Sequence, residues 1–143
     1  MQPSVNNLIG DNEKLLRYCN PKVFPLDQDE MTVDSLSDPN LSCDWTQHRS
    51  DPTTSPLMQI GKTLVCEITI CEQIRNPPHP VPGFLAQTII HDPENGQRDG
   101  TGIINPAHSL IQGRKKRQVL DAIVRNAYCF DAYTPALRRK ARK

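Results

Sequence analysis

Alternation of apolar and polar side chains is clearest between Thr63 and Ile70, where it predicts a strand. Leu64, Cys66 and Ile68 fall on one side of an extended chain together with Ile70, and the residues between them fall on the other side. Period-two alternation is typical of a strand that presents two different faces of a sheet.

Two further strands are predicted on either side of a polar loop. Residues 84–91 and 107–112 are also rich in apolar positions, and residues 92–102 between them contain the turn dipeptide Asn95-Gly96. Upstream of these strands, residues 76–83 contain four prolines. This density of proline favours a semi-rigid extended connector over a helix or an inner strand.

Helical spacing of apolar residues occurs in the last third of the chain. It predicts an amphipathic helix over 114–128, whose apolar stripe is formed by Val119, Leu120, Ile123, Val124 and Ala127. A shorter helix is predicted over 12–18, because Asp11 can cap its start and Pro21 disfavours its continuation.

Together these elements predict an α+β fold. We expect a small, mostly antiparallel sheet of about four strands, with the C-terminal helix packed on one face. A chain of 143 residues fits a single domain. We place this compact domain at 11–130, between a flexible N-terminus at 1–10 and a basic C-terminal tail at 131–143.

Composition narrows the class of protein. No apolar run approaches bilayer length and the N-terminus lacks the pattern of a signal peptide, so we expect no membrane association. Five cysteines, an odd number without a secretion signal, indicate reduced thiols and a cytoplasmic location. The sequence contains no glycine-rich phosphate loop and no zinc-finger spacing, so it predicts neither a metal site nor a cofactor.

Charge is distributed unevenly along the chain. Residues 1–113 carry a net charge of −7 and residues 114–143 carry +8. The candidate residues for binding an anion or nucleic acid are Arg114, Lys115, Lys116, Arg117, Arg138, Arg139 and Lys140. An acidic protein is an alternative partner for the basic C-terminus, and a solvated or internally paired charge run is the alternative without a partner.

Three short motifs resemble a group of small, uncharacterised bacterial proteins. The chain has Leu-Ser-x-Asp-Trp at 41–45, His-Asp-Pro at 91–93 and Asn-Pro-Ala-His at 105–108, and the group shares the first and the last. The resemblance covers residues 11 to about 125 and implies a compact bacterial domain, but no particular activity. The chain departs from the group at Cys43, where a small β-branched residue is more usual, and in its proline-rich connector.

Four residues of the chain are candidates for catalysis. If the strands around the 92–106 loop pair, His91 and His108 lie near one end of the sheet and can act as general acid and base. Asp44 can orient one imidazole, and Arg17 can hold a phosphate or carboxylate. The structural alternative is that both histidines bind loop carbonyl groups and that Asp44 caps a turn.

These observations leave three classes of function open. The first is an enzyme acting on a nucleotide or nucleic acid through His91, His108, Asp44 and Arg17. The second is a module that binds nucleic acid or protein through the basic C-terminus. The third is an interaction component of a multi-gene bacterial system. The sequence favours a small bacterial domain that acts as a binding or interaction component, with no proven catalysis, over the enzyme.

Overall fold

The computed structural model describes residues 8–19, 30–32, 36–58, 63–96 and 102–142. The strands defined within these ranges are β1 Lys14–Cys19, β2 Glu30–Thr32, β3 Asn40–Trp45, β4 Leu64–Thr69, β5 Thr88–His91, β6 Glu94–Asn95, β7 Ile104–Asn105, β8 His108–Gln112, β9 Ala127–Asp131 and β10 Thr134–Arg142. The helices are α1 Glu72–Arg75 and α2 Arg117–Arg125, with a short 3-10 turn at Pro52–Thr54.

Eight of the described strands form one sheet in the order β2–β10–β9–β4–β1–β3–β8–β5. Its neighbouring strands run antiparallel, except that β2 runs parallel to β10. The strands β6 and β7 pair only with each other, beside the main sheet. A mostly antiparallel sheet is therefore confirmed, and it is larger than the four strands predicted.

Side chains alternate along each strand, so the sheet has two distinct faces. The core face carries the larger cluster of buried apolar side chains, to which strand residues such as Leu15, Ile68 and Ile111 contribute together with Val119 and Ile123 of α2. The opposite face, which we call the network face, carries a smaller cluster. Its buried members are Leu16, Tyr18, Val65, Phe130 and Ala132, with Leu57 and Met58 packed against them.

The predicted helix over 12–18 is wrong, because this segment forms the strand β1. β1 lies between β3 and β4 and pairs with both. A strand with both faces buried reads as a nearly continuous apolar run instead of an alternation. Leu15, Leu16, Tyr18 and Cys19 are all buried for this reason, and their spacing imitates one side of a helix.

The predicted C-terminal helix is present but shorter, and it is not the last element. α2 ends at Arg125, and Ala127 already belongs to β9. The segment predicted as a basic tail, 131–143, contains β10, which pairs with β9 on one side and with β2 on the other. Pairing of the backbone on both sides explains how so basic a segment becomes part of the fold.

Two other predictions need adjustment at their boundaries. Only Thr88–His91 of the strand predicted over 84–91 is extended, since residues 82–85 form a turn in which Gly83 has a φ of 74°. The N-terminal segment predicted as flexible includes Ile9, which is buried and whose N–H donates to the Ile89 carbonyl oxygen. Residues 1–7 lie outside the described part of the chain. Neither α1 nor α2 is long and apolar enough to cross a membrane.

Candidate functional site

The motifs singled out in the sequence meet at one end of three neighbouring strands. Asp44 lies near the end of β3, His91 ends β5, and His108 begins β8. The antiparallel registers place Asp44 opposite His108 and His91 opposite Ser109. The prediction that the strands around the 92–106 loop lie side by side is therefore confirmed.

The four residues predicted for catalysis are divided between the two faces of the sheet. Directly paired residues point to the same face, so Asp44 and His108 share the network face. His91 points to the core face with Ser109, and Arg17 belongs to that face as well. The structure thus brings Asp44 close to His108 but does not gather all four side chains in one pocket.

His91 is held by a carbonyl group and by aromatic neighbours. Its Nε2 lies 2.7 Å from the carbonyl oxygen of Pro106. Its ring stacks on His48 with 4.6 Å between the ring centroids, and it meets Trp45 edge-on at 5.2 Å. The contact with Pro106 is the structural alternative that the sequence left open for this histidine.

Arg17 connects two strands of the sheet. Its Nη1 donates to the backbone carbonyl oxygen of Ser42 at 3.0 Å, which ties β1 to β3. Its Nε is buried and has no hydrogen-bond partner among the described residues. The role of Arg17 in binding a phosphate or carboxylate stays a prediction.

Asp44 is fully buried at the centre of a polar network on the network face. Its Oδ2 accepts a hydrogen bond of 2.9 Å from the Tyr18 hydroxyl and lies 3.4 Å from Nε of Arg49. Its Oδ1 accepts from Asn105 Nδ2 at 2.8 Å. Burial and the charge of Asp44 raise the pKa of Tyr18, so the phenol remains a donor. Asp44 is therefore not the cap of an exposed turn.

Two residues that the sequence did not select as functional complete this network. Arg49 donates through Nη2 to Asn105 Oδ1 at 2.7 Å and through Nη1 to the hydroxyl of Thr54 at 3.0 Å. Asn105 Oδ1 also accepts from the backbone N–H of Ala107 at 3.2 Å, which holds the turn at Pro106. The buried carboxylate thus has a cationic partner and two neutral donors, as a buried charge requires.

His108 has acceptors on both ring nitrogens and is 5% exposed. Nδ1 lies 2.9 Å from the Asp92 carbonyl oxygen and 3.3 Å from the Asp92 carboxylate. Because a carbonyl oxygen only accepts, Nδ1 carries a proton. Nε2 lies 3.3 Å from Ser42 Oγ and 3.5 Å from Glu94 Oε1. Serine and aspartate on opposite nitrogens of one imidazole follow the order of a nucleophile, base and orienting acid.

Cysteines and carboxylates form no metal centre in the part of the chain that is described. No group of three His, Cys, Asp or Glu side chains is arranged there to hold one ion. All five cysteines are free thiols, and four of them are buried. Burial raises the pKa of the Cys43 thiol to about 12, which keeps it protonated and unreactive.

The basic residues before α2 have mixed roles. Lys115 donates to the carbonyl oxygens of Ile111, Gly113 and Pro39 at 2.8, 2.9 and 3.3 Å. Burial lowers the pKa of Lys115 to about 8. The Arg114 guanidinium lies 4.3 Å from the centre of the Phe84 ring. Lys116 and Arg117, the remaining two of the predicted group, are exposed at the start of α2.

The basic C-terminal strand lies beside an exposed aromatic side chain. Lys140 of β10 is directly opposite Tyr128 of β9, and both are exposed. Tyr128 is 54% exposed, and Tyr133 in the turn between the strands is 65% exposed. Arg138 and Arg139 also lie within β10. The predicted residues of the C-terminus are thus collected on one strand of the sheet.

A single row of paired residues connects these two regions across the network face. The row consists of His108, Asp44, Leu16, Glu67, Tyr128 and Lys140, one residue from each of six adjacent strands. Its first members are buried and its last two are exposed. The network face therefore changes from a closed polar interior to an open surface along one line.

A cleft of about 290 Å³ lies between these ends of the row. Its lining includes Arg49, Asp51, Glu67 and Phe130. Glu67 pairs with Tyr128 across β4 and β9, so one residue of the cleft lining is a direct neighbour of the exposed tyrosine. The Glu67 carboxylate is 12% exposed and lies 3.8 Å from the ammonium group of Lys14.

Sequence reasoning missed several residues of these regions. Ser42 and Asp92 are inside the recognised motifs, but their contact with His108 depends on strand register. Glu94 belongs to a segment predicted as loop, and it reaches His108 from β6. Tyr128 was assigned to the predicted helix, and its exposure follows from its position in β9.

Comparisons of the chain with protein-family models, curated proteins and solved structures give no match.

Proposed function

We propose that this protein is a non-catalytic module that binds a polyanion, specifically nucleic acid, on the part of the network face formed by β9 and β10. The observation that carries the proposal is the exposed pair of Tyr128 and Lys140 on neighbouring strands, of which Lys140 belongs to the basic C-terminal segment. Cations that line a surface attract the phosphate backbone by releasing its counterions.

The arrangement of the sheet supports this choice of surface. In the proposal, α2 packs on the core face, where Val119 and Ile123 are buried, and leaves the network face to the ligand. Residues 114–143 carry a net charge of +8, and β10 brings part of that charge into the sheet beside Tyr128. A cationic strand held in a folded sheet is a pre-organised surface and loses less entropy on binding than a free tail.

The polar region around Asp44 supports binding over catalysis. The buried carboxylate of Asp44 contacts Tyr18, Asn105 and Arg49 of the same chain. The residues predicted for catalysis lie on both faces of the sheet. As part of the same proposal, we place the chain among the small cytoplasmic bacterial proteins that its three motifs resemble. An acidic protein is the alternative partner for this surface.

A second candidate function is an enzyme acting on a nucleotide or nucleic acid. The geometry that favours it is His108 between Ser42 Oγ and the Asp92 carboxylate, at 3.3 Å from each. This candidate replaces His91 and Arg17 of the original set with Ser42 and Asp92. It predicts that Ser42→Ala abolishes turnover of a nucleotide ester while the protein stays folded. An active Ser42→Ala variant would eliminate it.

The proposal can be tested by fluorescence anisotropy with a labelled oligonucleotide at about 50 and 200 mM salt. The test variant replaces Arg138, Lys140 and Arg142, alternate residues of β10, by alanine, and leaves Arg139 unchanged because it pairs with Cys129 of the core face. The matched control replaces Lys116, which immediately precedes α2, together with Arg117 and Arg125 of α2, and removes the same charge. We expect the β10 variant to lose about tenfold or more in affinity and the control about threefold or less, and wild-type binding to weaken steeply with salt.

Two results of this experiment would overturn the proposal. One is the absence of wild-type binding at the lower salt concentration. The other is an equal loss in both triple variants, because it would mean that net charge alone attracts the ligand. Circular dichroism and thermal unfolding confirm that each variant is folded before its affinity is compared.

A further inference from the structure

We infer that the ligand of the β9–β10 surface is single-stranded nucleic acid and that one of its bases stacks on the ring of Tyr128. This inference rests on the proposed function, because it names the ligand class for the same surface. The exposure of Tyr128, the charges around it and the adjoining cleft support it.

Tyr128 lies within the strand β9 and still exposes its ring. Tyrosine contributes a large apolar area, so burying its ring is favourable. In β9 the neighbouring Cys129 is fully buried, whereas Tyr128 is 54% exposed on the opposite face. Strand side chains stand roughly perpendicular to the sheet, so this ring projects from the network face. An aromatic ring in that position gives a flat surface on which an unpaired base can stack.

The charges around the ring are the second step. Lys140 is directly opposite Tyr128 on β10, and Lys14, with half of its side chain exposed, belongs to the same face on β1. Neighbouring strands lie about 4.8 Å apart, so these cations are within a few strand spacings of the ring. A nucleotide whose base stacks on Tyr128 therefore keeps its phosphate close to positive charge.

The adjoining cleft is the third step. Glu67 and Asp51 contribute to its lining. Their carboxylates repel a phosphate, but they can accept hydrogen bonds from the N–H groups of a base, including N3–H of thymine. Phe130 adds an aromatic side chain two residues from Tyr128 on the same face. With a volume of about 290 Å³, the cleft offers room for an unstacked neighbouring base.

These features select a single strand over a duplex. Bases in a duplex are stacked on each other and present only their edges, so Tyr128 has no base face to contact. Sequence-tolerant binders of single strands combine a basic surface with aromatic stacking. A duplex or another polyanion contacts only the cations, and its affinity does not depend on the ring of Tyr128.

The test compares Tyr128→Leu with Tyr128→Phe in the full chain. The probes are a 12-nucleotide oligodeoxythymidylate (about the site size of single-strand binders), a duplex of equal length and heparin. We expect Tyr128→Leu to weaken binding of the single strand about 5- to 150-fold, the loss of one stacked base. Tyr128→Phe keeps the ring and should retain wild-type affinity. Phe84→Leu is the control, because it removes another exposed aromatic ring outside this surface.

The outcomes separate this inference from the function on which it rests. Unchanged binding of the single strand by Tyr128→Leu, or an equal loss for all three probes, would overturn stacking and leave polyanion binding in place. Absence of wild-type binding to every probe would overturn both. If Tyr128→Leu selectively loses affinity for the single strand and Tyr128→Phe does not, both stacking on Tyr128 and polyanion binding are supported.

Discussion

The row of paired residues on the network face has buried polar residues at one end and exposed polar residues at the other. At one end, Asp44 and His108 are buried and their side-chain polar atoms contact groups of the same chain. At the other end, Tyr128 and Lys140 are exposed on β9 and β10. The difference shows that residue type alone does not identify a binding site. A polar side chain can bind a ligand only if its polar atoms are not already bonded to other groups of the protein.

The comparison has an energetic side. Removing one partner of a buried ion pair leaves the other charge without compensation and is strongly destabilising. Removing an exposed cation leaves no buried group without a partner, so it changes the free energy of unfolding little. The Asp44 end should therefore respond to mutation through stability, and the Lys140 end through binding.

The largest effect is expected for Asp44→Ala. The change leaves the Arg49 guanidinium buried without its carboxylate and removes the acceptor of Tyr18 and Asn105. We expect the free energy of unfolding to fall by about 3–5 kcal/mol in urea denaturation. Glu72→Ala is the control, since its carboxylate is 75% exposed and lies 3.8 Å from Arg75 of the same helix. A loss no larger than that of the control would show that the network contributes little to stability.

A smaller effect is expected for Tyr18→Phe. The substitution removes one hydroxyl that donates to Asp44 Oδ2 and keeps the ring. We expect a loss of about 1–2 kcal/mol, because Asp44 keeps its other donors. In the Asp44→Ala background the same substitution should cost less, since the acceptor is already gone. Equal costs in both backgrounds would mean that the hydroxyl acts independently of Asp44.

Alkaline pH should lower the free energy of unfolding, because the thiol of Cys43 is buried. The pKa of Cys43 is raised from 9.0 to about 12 in the folded protein. Between these values the unfolded chain releases a proton that the folded chain keeps, so stability falls as pH rises above about 9. One fully shifted group contributes about 1.4 kcal/mol per pH unit in that window. Unfolding measured at pH 8 and 10 should show a smaller decrease for Cys43→Ala than for wild type, and equal decreases would contradict this assignment.

The smallest change in stability is expected at the exposed end. Lys140→Ala should alter the free energy of unfolding by less than about 0.5 kcal/mol, because its side chain is exposed. Its effect should appear in binding, where loss of one phosphate contact lowers the salt dependence by about one unit. A large loss of stability would place Lys140 with the structural residues and weaken the comparison.

Patterning predicted some of the fold well. Alternation along Thr63–Ile70 predicts β4, and the short apolar run that ends before Gly113 predicts β8. The sequence of β1 predicts a helix because both faces of this strand are buried, which removes the alternation that marks a strand. The sequence of β10 predicts a tail because its side chains are mostly cationic, and side-chain charge gives no sign that the backbone pairs with β9 and β2.

The site could be predicted only in part for a related reason. The proximity of His91 to His108 follows from strand pairing, but the faces to which they point depend on register. A shift of one residue moves a side chain to the other face. Asp44 and His108 were correctly placed together, whereas the contacts of His108 with Ser42 and Asp92 depend on that register.

The most direct measurement is a titration of the ¹⁵N-labelled chain with 12-nucleotide oligodeoxythymidylate, followed by amide chemical shifts. Binding at the exposed end predicts that the largest shifts fall in β9 and β10, centred on Tyr128 and Lys140. The amides around Ser42, Asp92 and His108 should change little. Shifts concentrated around His108 with β9 and β10 unaffected, or no shifts anywhere, would contradict binding at Tyr128 and Lys140.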